Sequence, residues 1–138
     1  MKKKFLAGLP SFKLLTEAIA RAVKTKGYLL SLDRHPLPVR SAHSALNTLL
    51  QSAGAIVMKK AMVILDANLR YLYQPGVDYE WTMVNHDEFQ MMTNNETADT
   101  ELVGRLCCDS IRAAGEHFKL RCPLSGEFKV GKNWKETH

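Results

Sequence analysis

A helical pattern from about His43 to about Leu72 is the longest element predicted in this 138-residue chain, and it constrains the fold most. Apolar residues recur along it at spacings of three and four, as on one face of an α-helix. The pattern stops at the Gln-Pro-Gly sequence of residues 74–76, since proline and glycine end helices. The sequence therefore predicts one long amphipathic helix. The residues predicted to face inward are Leu46, Leu49, Leu50, Ala53, Ile56, Val57 and Ile64.

The segments on either side of this helix alternate between helical and strand patterns. In chain order they predict a helix through Phe12, Leu15, Ile19 and Val23, a hairpin or extended crossover in YLLSLDRHPLPVRS, a hairpin in VDYEWTMVNHDEFQMM, a helix from about Ala98 to about His117, and two short strands around Ser125-Gly126. The length and this order predict a single α+β domain over residues 1–138, with helices packed on one face of an antiparallel sheet.

Positive charge is concentrated in the first half of the chain. Residues 1–60 hold eleven Lys and Arg against two acidic residues, whereas residues 61–138 hold eight against twelve. A basic half of this kind suits a polyanionic partner such as nucleic acid, although a solvated basic surface has the same composition.

Apolar runs and cysteines point to an ordinary intracellular protein. No apolar run reaches the ~18 residues of a membrane span, and MKKKFLAGLP is too short in apolar residues for a signal peptide. The expectation is a cytoplasmic protein without a membrane partner. The three cysteines, Cys107, Cys108 and Cys122, are odd in number and lack CxxC spacing, so neither a disulfide framework nor a zinc site is predicted.

The densest charge lies between the two strand patterns of residues 79–92. His86, Asp87 and Glu88 fall at the predicted hairpin tip, where backbone is exposed and carboxylates stay hydrated or meet a cation. Carboxylate oxygens on a rigid tip suit Mg²⁺, which keeps waters and substrate phosphates as its other ligands. The same residue types are common in solvated turns, and the tetrapeptide alone favours that simpler interpretation.

A polar stripe runs along the predicted long helix. His43, Asn47 and Gln51 are spaced at i, i+4 and i+8, so their side chains share one side of a helix. Asn and Gln can bond to the acceptors of the DNA minor groove, which vary little between base pairs. Such a stripe could check duplex geometry without reading sequence. An exposed polar face on a half-buried helix gives the same pattern.

Several spaced segments together resemble a known family. VRSAHSALNTLLQSAGAIVMKKAM at 39–62, NHDEFQ at 85–90 and GEFKVGKNWKETH at 126–138 resemble the C-terminal part of the palm of family A DNA polymerases, and the bacteriophage replicative branch in particular. KKKFL near the start is similar to the segment that follows the fingers in those enzymes. The resemblance implies an incomplete palm, in which an antiparallel sheet and a motif C hairpin pack against long helices.

Roles follow from this resemblance for the residues of the hairpin. Asp87 would be one of two catalytic aspartates that bridge two Mg²⁺ ions, and Glu88 a neighbouring carboxylate that supports the metal. His86 would lie near the primer-terminal phosphate. His138 would place the terminal carboxylate close to the active site.

The resemblance also gives roles to the long helix and the residues before it. Asn47 and Gln51 would face the minor groove of the primer-template duplex. His43 stands where cellular members often have arginine, and Arg40 is expected to supply that charge. The chain has LDRHP, residues 32–36, where the family commonly has Leu-Asp-Gly-Arg, so the conformation of that turn is open.

Parts that the family needs for catalysis are not found in the 138 residues. Motif A with its aspartate, the fingers that bind the incoming nucleotide, the thumb and the exonuclease would all lie upstream. Two-metal chemistry needs carboxylates from two strands, so we expect the chain to be inactive alone and to act with primer-template DNA, dNTP and a second polymerase chain. A strand edge left unpaired beside Trp81, Met83 and Phe89 would favour binding a partner or self-association.

Two other functions stay open at this point. A palm relic that binds DNA or a polymerase as a regulator would need no chemistry, although it would have no use for the metal carboxylate. An unrelated metal-dependent hydrolase would need further carboxylate or histidine ligands near the hairpin, and the sequence shows no such cluster. The resemblance to a phage enzyme implies the cytoplasm of an infected bacterium.

Overall fold

The structure is a computed structural model, and it describes residues 8–41 and 43–137. The chain divides into two compact units, Met1–Gly54 and Ala55–His138. The division falls within the long helix, so that helix contributes residues to both units. Each unit has a hydrophobic core of its own.

The first unit combines a helix with a small antiparallel hairpin. Helix α1 spans Pro10–Lys26 and ends at Gly27, whose φ of 76° lies in the left-handed region that glycine adopts readily. Strands β1 (Tyr28–Leu30) and β2 (Pro36–Pro38) pair with Leu29 opposite Leu37. The core holds Ile19, Leu29 and Ala45, with further apolar residues packed around them. The predicted first helix is confirmed, and of the two alternatives predicted for the next segment, a hairpin or an extended crossover, the structure has the hairpin.

Helix α2 spans Ala45–Leu72, so its predicted end is confirmed and its start falls two residues later than His43. His43 lies in a turn beside Ser44, whose hydroxyl contacts that of Ser41 at 3.1 Å. Leu50 was predicted to face inward, but it is 58% exposed. Leu46 and Leu49, which were also predicted to face inward, do pack on the core of the first unit. The turn of about 100° per residue carries Leu50 away from that core.

Helix α2 is also long and apolar enough to cross a membrane by length and composition, with a mean hydropathy of 1.4 over its most apolar 18-residue window. This differs from the expectation that no run would qualify. Core helices pass the same test, and α2 contributes Ala45 to one core and Leu65 and Leu69 to the other.

The second unit is built on the rest of α2, a hairpin and a further helix. Strands β3 (Tyr79–Asn85) and β4 (Glu88–Thr93) pair antiparallel, and helix α3 spans Thr100–His117 behind its N-cap Asp99, whose side chain accepts a hydrogen bond from the Leu102 amide at 3.0 Å. A short helix, α4, spans Trp134–Thr137. Leu65, Leu69, Tyr79 and Val103 form the core.

The α+β class is confirmed at the level of helices with small antiparallel sheets. Within the described residues the strands form two separate two-stranded sheets. On α3, Leu102, Leu106 and Ile111 are half-buried, while Val103 and Ala114 are the buried apolar residues of that helix.

The two short strands predicted around Ser125-Gly126 are wrong. Residues 123–131 form no regular secondary structure. Their apolar side chains pack against α3 instead: a Cβ built at Gly104 would overlap the ring of Phe128, and one built at Gly115 would lie 2.9 Å from Cγ of Leu124. The segment therefore follows a helix surface rather than pairing with itself.

Candidate functional site

The tip of the β3–β4 hairpin carries the predicted catalytic residues. Asn85 and Glu88 are the last paired residues, so His86 and Asp87 form the two-residue turn. His86 has a φ of 51°, and histidine is among the residues that enter this region more readily than most. His86 and Asp87 are exposed, as predicted from the charge of this stretch.

Glu88 differs from Asp87 in its surroundings. It is half-buried on β4, and Gln90 Nε2 donates a hydrogen bond to its Oε1 at 2.8 Å. The hairpin thus presents one carboxylate to solvent and holds the next one on the strand. The carboxylate oxygens of both residues are hard ligands of the kind that Mg²⁺ prefers.

A carboxylate on helix α2 contacts this hairpin from below the tip. Asp66 Oδ2 accepts a hydrogen bond from Arg70 Nε at 2.7 Å, while Oδ1 lies 3.4 Å from both the Tyr79 hydroxyl and Trp81 Nε1. The hydrogen bond from Arg70, followed by those from Trp81 and Tyr79, lowers the pKa of Asp66. Burial, followed by the Asp66 charge, raises the pKa of Tyr79.

Sequence reasoning missed Asp66. The i, i+4 spacing of Asp66 and Arg70 was a visible signal of an ion pair on a helix. Tyr79 and Trp81 lie on another element, 13 and 15 residues after Asp66, and no local pattern predicts their contacts with it.

An open cleft of about 1310 Å³ lies beside the hairpin tip. Asp87 and Glu88 line it together with residues of the segment that follows α3, including Glu127, Lys129 and Lys132. Within residues 8–41 and 43–137, no group of three or more His, Cys, Asp or Glu side chains is arranged to hold a metal ion. Asp87 and Glu88 have the right chemistry for a divalent cation, and they need further ligands to complete a site.

The predicted DNA-contacting residues lie in the first unit. Asn47 and Gln51 are exposed on α2, one turn apart, and neither side chain makes a hydrogen bond within the described part of the chain. His43 and Arg40 are exposed in the segment before the helix. Two amide side chains with unused donors and acceptors can bond to a polar ligand. The predicted role of His138 falls outside the described residues.

Comparison with known proteins finds similar sequences for nearly the whole chain. The family model of DNA polymerase family A matches residues 3–136. A DNA-directed DNA polymerase of Escherichia phage Phieco32 is 33% identical over 100% of this chain and 23% of its own length. A DNA-directed DNA polymerase of Escherichia phage T7 is 32% identical over 100% of this chain and 22% of its own length. DNA polymerase I of Geobacillus stearothermophilus is 28% identical over 98% of this chain and 16% of its own length.

The chain thus spans less than a quarter of the length of these relatives. Nearly all of the chain is nevertheless matched by the family model and by the two phage proteins. The chain belongs to DNA polymerase family A.

Proposed function

We propose that this chain is the C-terminal palm part of a DNA-directed DNA polymerase and supplies the motif C carboxylate of its nucleotidyl-transfer site. The observation that carries the proposal is the hairpin tip, where exposed Asp87 and half-buried Glu88 follow each other at a two-residue turn. A carboxylate on a turn between two paired strands is accessible to a cation, while its backbone is held by the ladder on either side.

Asp87 and Glu88 would hold divalent cations, with Mg²⁺ as the expected ion because carboxylate oxygens and substrate phosphates are its usual ligands. When bound, such ions lower the pKa of a hydroxyl nucleophile and neutralise charge on the transferred phosphoryl group. Asp87 takes the position nearest solvent, and Glu88 supports it from the strand. His86 beside them is a candidate contact for the primer-terminal phosphate.

Two described carboxylates are too few for a complete two-metal site, so this function needs a further strand with an aspartate. We propose that this strand comes from a part of the polymerase outside these 138 residues, which also carries motif A and the fingers. Apart from a bridge between Tyr79 and Pro75, the outer edges of both strands of the β3–β4 hairpin are unpaired within the described residues, which supports such an assembly. Self-association through the same edges is a second possible use of them.

The first unit would contact primer-template DNA. Asn47 and Gln51 offer amide donors and acceptors that have no hydrogen-bond partner among residues 8–41 and 43–137, as a minor-groove contact requires. His43 and Arg40 precede them, and the excess of basic residues before position 60 provides attraction to phosphate.

Primer extension by the assembled enzyme tests this proposal. The tagged 138-residue chain is captured with the polypeptides that bind it, and the complex is assayed on a primer-template with dNTP and Mg²⁺. Asp87→Asn removes a charge that acts on the transition state, so it should lower turnover by at least about a hundredfold while duplex binding is nearly retained.

Asp109→Asn is the matched control, because Asp109 is an exposed carboxylate on α3 that pairs with Arg112 at 2.9 Å. The control should retain wild-type turnover. If Asp87→Asn kept more than about a tenth of wild-type primer extension, Asp87 would not be the metal-binding residue of this enzyme.

A further inference from the structure

Asp66 joins helix α2 to strand β3 through one carboxylate. Its Oδ2 is held by Arg70 Nε at 2.7 Å, which leaves Oδ1 facing the Tyr79 hydroxyl and Trp81 Nε1 at 3.4 Å each. The Asp66 side chain is 32% exposed, and Tyr79 is 3% exposed. A partly buried carboxylate with three donors around it has a defined orientation.

The contacts continue from Trp81 toward the hairpin tip. The rings of Trp81 and Phe89 meet edge to face, with their centroids 5.6 Å apart. Phe89 follows Glu88 directly on β4. A chain of side chains therefore runs from Asp66 through Trp81 and Phe89 to the backbone of the carboxylate pair.

A β-bulge in β3 separates the part of the strand that contacts Asp66 from the hairpin tip. The pairing register shifts between Trp81 and Met83, so an extra residue lies in β3 between the anchored part of the strand and the tip. A bulge bends a strand and changes the direction in which the following residues point. The direction of the tip then depends on how firmly the strand is held before the bulge.

We propose that Asp66 is a positioning residue, which fixes β3 on α2 through Trp81 and Tyr79 and so determines where the hairpin presents Asp87 and Glu88. The inference rests on the proposed function, and Asp66 itself touches no substrate. An apolar residue at position 66 would leave the Trp81 N–H and the Tyr79 O–H without their acceptor.

The first test is amide hydrogen exchange of the full chain, which requires no catalytic activity. In Asp66→Ala, peptides from residues 79–93 should exchange about tenfold faster, because loss of the shared acceptor eases local opening of the hairpin. Peptides from 100–117 should change by less than about twofold, since α3 does not contact Asp66 through a hydrogen bond. Asp66→Asn keeps one acceptor oxygen, so its hairpin should exchange at an intermediate rate.

Asp109→Ala is the matched control, because it removes a carboxylate from another helical ion pair, with Arg112 at 2.9 Å. Exchange of residues 79–93 that is equal in Asp66→Ala and Asp109→Ala would overturn the proposal, as would equal acceleration of the hairpin and α3. If the Ala variant does not fold, the Asn variant decides between the same outcomes.

The second test measures primer extension by the captured complex. Misplacing the carboxylates should lower kcat by about tenfold or more in Asp66→Ala, with little change in KM for dNTP, and Asp66→Asn should recover part of the loss. An unchanged kcat in a complex that Asp87→Asn inactivates would overturn the positioning role. Extension by Asp87→Asn above about a tenth of wild type would instead overturn the proposed function, and the catalytic part of this inference with it.

Discussion

Phe128 lies directly over Gly104 of helix α3, where a Cβ atom would overlap its ring. Both glycines of this helix are used in the same way, since Gly115 lies under Leu124. Because neither glycine has a side chain, the segment after α3 can run close to the helix and cover apolar residues of the second unit. This segment also forms one wall of the cleft that contains Asp87.

Gly104→Ala should therefore destabilise the chain, even though alanine favours helices. Overpacking against Phe128 should cost about 1 to 3 kcal/mol in the free energy of unfolding, measured by urea denaturation. Gly54→Ala is the matched control, because a Cβ built at Gly54 of α2 meets nothing within 4 Å. There the same change should stabilise by about 0.5 to 1 kcal/mol. A gain in stability at both positions would show that Phe128 does not occupy the space over Gly104.

The contact between Phe128 and Gly104 also explains why the tail was predicted incorrectly. The apolar residues of EFKV suggested a short strand, whereas the structure uses Phe128 to pack on a residue 24 positions earlier. Local patterns carry no information about such a pairing. The β3–β4 hairpin was predictable for the opposite reason, since two strand-like runs enclose polar residues that suit a turn.

The candidate site divides in the same way. The sequence predicted that Asp87 would lie at a hairpin tip and that Asn47 and Gln51 would share one side of α2, because both depend on local periodicity. Asp66 was missed, since its proposed role depends on contacts with Tyr79 and Trp81 of another element. Helical periodicity gives the directions of side chains relative to one another, but not which side of the helix faces the core. The exposure of Leu50 therefore could not be predicted from the sequence.

Arg34 offers a second test of local conformation. It has a φ of 68° in the turn between β1 and β2, at the place where the resembled family commonly has glycine. The turn is held by Asp33, which accepts a hydrogen bond from Ser31 and pairs with His35 Nδ1 at 3.2 Å. Arg34→Gly should remove the energetic penalty that a residue with a Cβ atom pays at a positive φ. The free energy of unfolding, measured by chemical denaturation, should rise by about 0.5 to 1 kcal/mol. Arg34→Lys keeps the penalty, so a gain of the same size in that control would refute this explanation.

The three cysteines should differ in reactivity. Burial raises the pKa of Cys107 to about 12 and also raises the pKa of Cys108, while Cys122 is exposed. Because the thiolate is the nucleophile, iodoacetamide at pH 8 should modify Cys122 first, and it should modify Cys107 at least about a hundredfold more slowly. Peptide mass spectrometry over time gives the order. Early modification of Cys107 in the folded chain would contradict its packing against the core of the second unit.

Acid should weaken the anchor at Asp66. The hydrogen bond from Arg70, followed by those from Trp81 and Tyr79, holds the pKa of Asp66 below its ordinary value of 3.8 in the folded chain. Its contribution to stability is therefore fully present above pH 3.8 and is lost as the pH falls through the lower folded value. Asp66→Asn has no such titration, so its free energy of unfolding should decline less between about pH 5 and about pH 2. Parallel declines in the two proteins, measured by urea denaturation, would mean that Asp66 contributes nothing to acid sensitivity.

Gln51 tests whether the polar side of α2 contacts DNA. It is exposed and one turn from Asn47, and minor-groove acceptors are lost or displaced at a mismatched base pair. In the captured complex, Gln51→Ala should slow extension from a matched primer end more than from a mismatched one. The ratio of the two rates should shrink by about tenfold if one hydrogen bond of ~1 to 2 kcal/mol is lost.

Asn68→Ala is the control for Gln51→Ala, because it removes another exposed amide from the same helix. It should leave the ratio of matched to mismatched extension unchanged. Neither substitution should change the free energy of unfolding by more than a few tenths of a kcal/mol, since both side chains are exposed. A large loss of stability in Gln51→Ala would identify Gln51 as part of a structural contact, and the proposed DNA-binding role of this side of α2 would then be wrong even though the chain remains a family A member.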